Sequence, residues 1–197
     1  NRINRISIGV QSLDDNELRA AGRIHTAAQA LTTVKSAAGL GFKSVSADII
    51  AGLPGQSWPS LSQTIDTLVR SGIHHISLYC LSLEPGTSLA QNPPENLPGE
   101  NEQAELFEKA IVSLEENGFI HYEISNFARQ GCECKHNLNY WRGGEYVGLG
   151  PSAASHLGGK RFRNCSDLDA YIKNPVAVPE ALEELDAKTK AAEETML

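Results

Sequence analysis

The sequence lacks the features of membrane-spanning, secreted and nucleic-acid-binding proteins. Its apolar stretches are short and interrupted, which argues against a transmembrane helix and against the apolar segment of a signal peptide. Lys and Arg number 17 against 24 Asp and Glu, and no basic patch interrupts the net charge of −7, which argues against a nucleic-acid partner. The four scattered cysteines are too few for a disulfide framework, so a reducing, cytoplasmic setting is expected.

Methionine is almost absent as well. Met196 is the only one, so no initiator residue opens the chain, and we expect a piece of a longer protein with both ends missing. What is present suffices for a folded core. The 197 residues, 41% of them hydrophobic, predict one large domain with a small appendage.

A unit of about 35 residues, an apolar strand followed by an amphipathic helix, repeats along the first part of the chain. Strands joined by such long crossovers are parallel. Strands that look almost continuously apolar predict a sheet covered on both faces, and such a sheet left uncovered on its inner side would expose an apolar inner face. The predicted strands are 5–10, 44–50 and 75–81, and the predicted helices are 14–20, 26–38 (with Thr26 as N-cap), 59–70 and 101–117.

The pattern changes after Gly118, where short strands and glycine-rich turns predict an α+β extension packed on the sheet. Its expected elements are strands near 122–124 and 146–149, a helix near 167–173 and a further helix over 180–197. The predicted domains are therefore 1–118, 119–175 and 176–197.

Polar side chains stand at the carboxyl ends of the three predicted parallel strands, where α/β proteins bind ligands. Gln11 and Ser82 follow the first and third strands, and Asp48 lies near the end of the second. Asp48 is either a buried structural carboxylate or a contact to ribose hydroxyls or a basic group. Arg23 is its ion partner, a clamp for a ligand carboxylate, or an exposed surface residue.

The segment 136–141, HNLNYW, gathers an imidazole, two amides, a phenol and an indole in a region expected to be loop-like. It suits the face of a large planar ligand, and equally a local packing cluster. Cys132-x-Cys134-x-His136 has neither a second cysteine pair for zinc nor the spacing for an iron–sulfur cluster, so no metal site is assigned. The remaining histidines are interpreted as structural or solvated: His25, His74, His75, His121 and His156.

Taken in order, five blocks between Ile6 and Ala153 resemble a known family: ISIGVQSLDDNELRAAGRIH, ADIIAGLPGQS, HISLYCLSLEPGT, YEISNFAR and HNLNYWRGGEYVGLGPSA. They are similar to radical S-adenosylmethionine proteins related to oxygen-independent coproporphyrinogen III oxidase. HNLNYW fits the HNxxYW signature of the HemW-type haem-chaperone branch. The resemblance implies the C-terminal half of a partial (β/α)6 barrel of parallel strands plus an α+β extension.

The resemblance also implies cofactors and residue roles. The positions that match S-adenosylmethionine contacts of the family are Gln11, Arg23, Asp48, Ser82 and Ala154, and the haem candidates are His136, Asn137, Tyr140 and Trp141. The family's C-x3-C-x2-C loop, which holds a 4Fe-4S cluster, is absent from this sequence. The chain alone is therefore expected to be inactive, with no catalytic residue assigned.

Two functions follow from the resemblance. The first is a haem chaperone that binds haem and transfers it to haem-dependent proteins, with a homodimer and peripheral membrane association as further expectations for the intact protein. The second is an oxygen-independent coproporphyrinogen III oxidase, which converts propionates of a porphyrinogen to vinyl groups. Haem or a porphyrin is the expected ligand in both cases.

Overall fold

The computed structural model describes residues 3–175, 181–184 and 188–189. It divides the chain into two compact units, Asn1–Glu133 and Cys134–Leu197. The strands of the first unit are β1 (Arg5–Gln11), β2 (Ser44–Ala51), β3 (His75–Cys80), β4 (Ile120–Glu123) and β5 (Asn126–Ala128), and its helices are α1 (Asp15–Ala20), α2 (Ala27–Gly39), α3 (Trp58–Arg70), α4 (Ser88–Gln91) and α5 (Glu100–Glu116).

The first unit is built on one five-stranded sheet in the order β1-β2-β3-β5-β4, with β1 at one edge. The strands β1, β2 and β3 run parallel, as their long helical crossovers require. The predicted parallel α/β arrangement is confirmed here. The strands β5 and β4 join antiparallel to this set, which makes the sheet mixed.

Local sequence signals fix the ends of the helices that cross over the sheet. Thr26 is the N-cap of α2, as predicted, and forms a capping box with Gln29. Asp14 caps α1 by accepting hydrogen bonds from the N–H groups of Asn16 and Glu17.

One face of the sheet carries the hydrophobic core. Alternate residues of the central strands β2 and β3, such as Val45, Ile49 and Leu78, are fully buried against the helices α2, α3 and α5. Leu61 and Leu114 are the helix residues that fill this layer, and both are fully buried. Burial of these side chains supplies the main driving force for folding of the first unit.

The opposite face of the sheet is chiefly polar, so the expectation of an apolar inner face is wrong. Successive strand residues point to opposite faces, and the set opposite the core is Ser7, Ser46, Asp48, His75, Ser77 and Asn126. The physical reason lies in β2, whose sequence SVSADIIA places Ser44, Ser46 and Asp48 at successive alternate positions. Because serine is small, a run of serines, valines and alanines resembles an apolar strand. The serines nevertheless all lie on one side of the strand and form one continuous polar face.

The segment 119–133 belongs to the first unit, although its sequence groups it with the extension that follows. Phe127 of β5 is fully buried in the hydrophobic core. Asn126 pairs with Ser77 of β3 in the sheet. This pairing makes β5 part of the layer that carries the polar face.

The second unit contains α6 (Lys135–Trp141), β6 (Ala154–Leu157), β7 (Lys160–Arg163), α7 (Leu168–Lys173) and β8 (Ala181–Glu184), with the strands in one antiparallel sheet ordered β6-β7-β8. The strand predicted over 146–149 is wrong. Only Tyr146 pairs there, through an isolated bridge to His156. The helix predicted near 167–173 is present as α7.

The helix predicted over 180–197 is wrong at 181–184, which form β8. Opposite charges favour the pairing of β8 with β7, because Lys160 of β7 pairs with Glu184 at 2.6 Å and Arg161 approaches Glu183 at 4.0 Å. Residues 188–189 are helical, and the other residues of the predicted helix lie outside the described residues. Within the described ranges, no helix has the length and apolarity needed to cross a bilayer.

Candidate functional sites: the polar sheet face and the HNLNYW helix

Gln11 and Asp48 meet on the polar face around the bare backbone of Gly9. The pairing of β1 with β2 places Gly9 opposite Asp48 and then shifts by one residue, so that Gln11 lies opposite Ile49. Gln11 adopts a φ of 65°. A Cβ built on Gly9 would lie 2.8 Å from Gln11 Nε2, so the Gln11 side chain passes directly over Gly9. The absence of a side chain at Gly9 leaves room for the Gln11 amide at this corner of the face.

Asp48 is half-buried rather than enclosed. Ser7 Oγ donates a hydrogen bond of 2.8 Å to its Oδ1. Its other oxygen remains on the same face as Gly9, Ser77 and Gln11. Among the residues that the structure describes, no Lys or Arg forms an ion pair with Asp48. A carboxylate in this position can accept further hydrogen bonds, for example from ribose hydroxyls.

The loops that follow β1 and β2 are tied together by Glu17, a residue that the sequence does not single out. The Glu17 side chain is 4% exposed. Its carboxylate accepts hydrogen bonds from Ser12 Oγ at 2.6 Å, Gln56 Nε2 at 3.0 Å and Ser60 Oγ at 2.5 Å. Ser12 directly follows Gln11, and Gln56 closes the loop after β2 by accepting from the N–H of Gly52 at 2.7 Å. Glu17 therefore holds both loops beside the Gln11–Asp48 corner.

The other predicted S-adenosylmethionine positions differ in their surroundings. Arg23 is exposed between α1 and α2, which removes the alternative in which it pairs with Asp48. Ser82 is exposed two residues beyond β3, at the same end of the sheet as Gln11, and donates to Glu84 Oε1 at 3.0 Å. Ala154 is the first residue of β6 in the second unit, where its backbone lies directly against Gly148.

A buried histidine occupies the middle of the polar face. His75 Nδ1 is 2.7 Å from Ser46 Oγ, and its Nε2 is 2.8 Å from the Tyr122 hydroxyl. Burial, and secondly the positive charge of Arg5, lower the pKa of His75 from 6.5 to about 3. The imidazole is therefore neutral at physiological pH, with one nitrogen that donates and one that accepts.

The lowered pKa of His75 predicts a pH-dependent stability. Between about pH 3 and 6.5 the unfolded chain binds a proton that the folded chain does not, so the unfolding free energy falls as the pH drops through this window and is fully retained above it. We expect His75→Gln to lower the slope of unfolding free energy against pH by up to about 1.4 kcal/mol per pH unit. Urea unfolding across the window measures the slope. Ser77→Ala, on the same face, should retain it, and an equal slope in His75→Gln would contradict the prediction.

The HNLNYW segment forms the helix α6 rather than the expected loop. Helical spacing places His136 and Tyr140 on one face, where their ring centroids are 4.6 Å apart with an edge-on orientation. Tyr140 is 44% exposed and meets Tyr146 edge-on at 4.5 Å. Asn137 and Trp141 lie four residues apart on the neighbouring face and are half-buried. The segment thus presents an exposed imidazole and an exposed phenol ring together.

Asn139 fastens this helix to the segment that follows. Its side-chain Nδ2 donates to the carbonyl of Glu145 at 3.1 Å. Its backbone carbonyl oxygen accepts from the N–H of Gly144 at 2.8 Å. Gly144 lies so close to the Asn139 side chain that no Cβ fits there. The turn after α6 is therefore held in one conformation by the motif itself.

Metal-ligating side chains are dispersed over the described part of the chain. No group of three or more His, Cys, Asp or Glu residues there is arranged to hold a metal ion.

Comparison with known proteins identifies the family. The Radical SAM superfamily profile matches residues 1–68. The haem chaperone HemW of Bacillus subtilis is 38% identical over 173 residues, which cover 86% of this chain and 46% of the relative. HemW of Lactococcus lactis is 34% identical over 197 residues, covering 98% of this chain and 52% of the relative. The chain spans about half the length of these curated relatives.

Two further similarities agree with this. The mitochondrial radical S-adenosyl methionine domain-containing protein 1 of Danio rerio is 44% identical over 154 residues, covering 77% of this chain and 35% of the relative. The solved structure of the coproporphyrinogen III oxidase HemN from Escherichia coli, a radical SAM enzyme, superposes with a TM-score of 0.81 at 20% identity, over 98% of this chain and 48% of that one. By its sequence similarity, this chain is related to the HemW-type group of the radical S-adenosylmethionine superfamily.

Proposed function

We propose that this chain is part of a haem chaperone, which binds haem and passes it to haem-dependent proteins. The observation that carries the proposal is α6, whose HNLNYW sequence exposes His136 and Tyr140 side by side in a chain similar to proteins named haem chaperone HemW. An imidazole can ligate the iron, and an aromatic ring can stack on the macrocycle. Haem is cargo in this proposal, and the acceptors are haem-dependent proteins.

We also propose that S-adenosylmethionine binds on the polar face of the first unit. The residues there fit an adenosyl nucleoside, because one carboxylate oxygen of Asp48 has no hydrogen-bond partner among the described residues and the Gln11 amide lies over Gly9, the residue opposite Asp48. Arg23 and Ser82 are the remaining proposed contacts of the first unit. The β1–β3 layer would then be the second half of a partial (β/α)6 barrel.

The residues of this chain do not fit a 4Fe-4S cluster. The cysteines at 80, 132, 134 and 165 do not form a C-x3-C-x2-C loop, so the cluster of the proposed protein would be held by residues outside this sequence. We derive no step through it.

A reducing, cytoplasmic location is part of the proposal, and the small number and wide scatter of the cysteines support it. The alternative function, oxidation of coproporphyrinogen III, is supported by the fold similarity to HemN alone. Formation of the vinyl product by the intact, cluster-loaded protein under anaerobic conditions would favour that alternative.

Haem titration tests the chaperone proposal directly. We expect ferric haem to bind the chain with a shifted Soret band, and the combined change of His136, Tyr140 and Trp141 to alanine to weaken binding at least about tenfold, which corresponds to about 1.4 kcal/mol. The matched control changes a histidine, a tyrosine and a tryptophan of the first unit to alanine: His25, Tyr79 and Trp58. Equal affinity in the α6 variant and the unchanged chain would exclude this site.

A further inference from the structure

Two neighbouring cavities form one groove between the helices α3 and α5. Their volumes are about 600 Å³ and about 500 Å³. Trp58 and Lys109 line both cavities, so the groove is continuous. The helices α3 and α5 pack on the side of the sheet that carries the hydrophobic core, so this groove is distinct from the polar face that bears Gln11 and Asp48.

Each helix turns one stripe of residues toward the groove, because residues three or four positions apart share a helix face. The stripe of α3 is Trp58, Ser62 and Asp66. The stripe of α5 extends over about 21 Å at the usual helical rise. It consists of Glu102, Glu105, Lys109, Val112 and Glu116. Two stripes of this kind can hold a peptide segment lengthwise between them.

The centre of the groove is apolar and only partly covered by the chain itself. Val112 is 54% exposed, and Trp58 is half-buried. Both residues line the larger cavity. Burial of such apolar surface by a partner is favourable, and tryptophan is among the residues that most often contribute strongly to binding at protein interfaces. The centre of the groove therefore suits an apolar side chain of a bound segment.

Carboxylates surround this apolar centre. Asp66, Glu108 and Glu116 line the larger cavity, and the smaller cavity is lined by three more: Glu95, Glu102 and Glu105. Lys109 is the only basic side chain among the described lining residues, and it already pairs with Glu105 at 2.5 Å. Such an excess of one charge attracts a partner surface of the opposite charge and disfavours an acidic one. Charge complementarity therefore predicts a basic partner.

We propose that the α3–α5 groove binds a basic segment of a partner protein. In this arrangement Lys or Arg side chains of the segment pair with the carboxylates, and an apolar side chain packs on Trp58 and Val112. The face of the Trp58 indole also suits a guanidinium or ammonium group. This inference goes beyond the proposed haem function and does not depend on it, because the groove lies in the first unit and α6 lies in the second.

The test uses a fluorescently labelled amphipathic peptide of Lys, Leu and Ala with about 14 residues, the helical length that matches the α5 stripe. We expect its fluorescence anisotropy to rise when the unchanged chain is added at low salt. The affinity should fall at least about fivefold between about 20 mM and about 300 mM NaCl, because salt screens exposed charge pairs. A peptide in which Glu replaces every Lys should not bind.

Val112→Lys is the decisive variant, because it places a positive charge at the centre of the groove, at an exposed position where folding should be retained. We expect this variant to bind the Lys peptide at least about tenfold more weakly than the unchanged chain. The matched control is Ala104→Lys, which adds the same charge at an exposed position of α5 that is not among the residues lining the groove.

A second pair of variants tests the carboxylates. Neutralising three of them together should weaken peptide binding at least about fivefold: Asp66→Asn, Glu108→Gln and Glu116→Gln. The matched control neutralises three exposed acidic residues that are not among those lining the groove, and it should change the affinity less than about twofold: Glu100→Gln, Glu115→Gln and Asp169→Asn.

Several results would overturn the inference. They are the absence of peptide binding to the unchanged chain at low salt, equal binding by Val112→Lys and Ala104→Lys, and equal binding by the two triple variants. If sedimentation shows that the unchanged chain is a dimer that Val112→Lys dissociates, a second copy of the chain occupies the groove, and the assignment to a basic partner is overturned as well. Haem binding is measured separately, so each of these failures leaves the chaperone proposal intact.

Discussion

Replacing Glu17 with alanine is expected to lower the unfolding free energy of the first unit by about 3 kcal/mol or more. The change removes a buried carboxylate that accepts hydrogen bonds from Ser12, Gln56 and Ser60. Hydrogen bonds to charged groups contribute about 1.5–3 kcal/mol each, and a buried donor that loses its acceptor keeps its full desolvation cost. Urea-induced unfolding, followed by circular dichroism, measures the loss.

The same change should loosen the loops beside the Gln11–Asp48 corner. Amide hydrogen exchange is expected to accelerate at Gly52, whose N–H donates to the Gln56 side chain that Glu17 holds. Glu105→Ala is the matched control, because Glu105 is exposed and pairs only with Lys109 along one helix. If Glu105→Ala and Glu17→Ala shift the urea midpoint equally, Glu17 does not tie the loops as described.

Phe127→Ala should destabilise the first unit by about 3–5 kcal/mol, the usual cost of removing a fully buried aromatic ring. Phe127 lies in β5, packs in the hydrophobic core and stacks on His121 with ring centroids 4.2 Å apart. The urea midpoint of the first unit, followed by the fluorescence of Trp58, provides the measurement.

This prediction also tests whether β4 and β5 fold with the parallel strands. Val112→Ala on α5 is the matched control, because Val112 is 54% exposed and its truncation should change the stability by less than about 0.5 kcal/mol. A Phe127→Ala variant that unfolds at the same urea concentration as Val112→Ala would mean that 119–133 is not part of this cooperative unit.

The sequence predicts the strands and helices whose formation depends on local residue patterns. Alternating apolar strands and amphipathic helices predict β1, β2 and β3 with their parallel crossovers, and Thr26 predicts the start of α2. Positions at the ends of parallel strands predict that Gln11 and Asp48 converge, because strand ends share one edge regardless of the details of packing.

What the sequence does not predict depends on contacts between distant segments. Glu17 reads as an ordinary helix residue, and only the tertiary structure brings Ser60 against it. The three residues of β5 are too few to carry a periodic signal. The sequence likewise does not show that His156 is buried, with its Nδ1 beside the Gly144 carbonyl and its Nε2 without a hydrogen-bond partner among the described residues.

The strand β1 is an edge strand of the five-stranded sheet. Only β2 neighbours β1 within the sheet of the first unit, so the peptide groups of Arg5–Gln11 that point outward can pair with an additional strand. A strand that paired there would extend beyond β1 the sheet that carries Gly9 and Asp48.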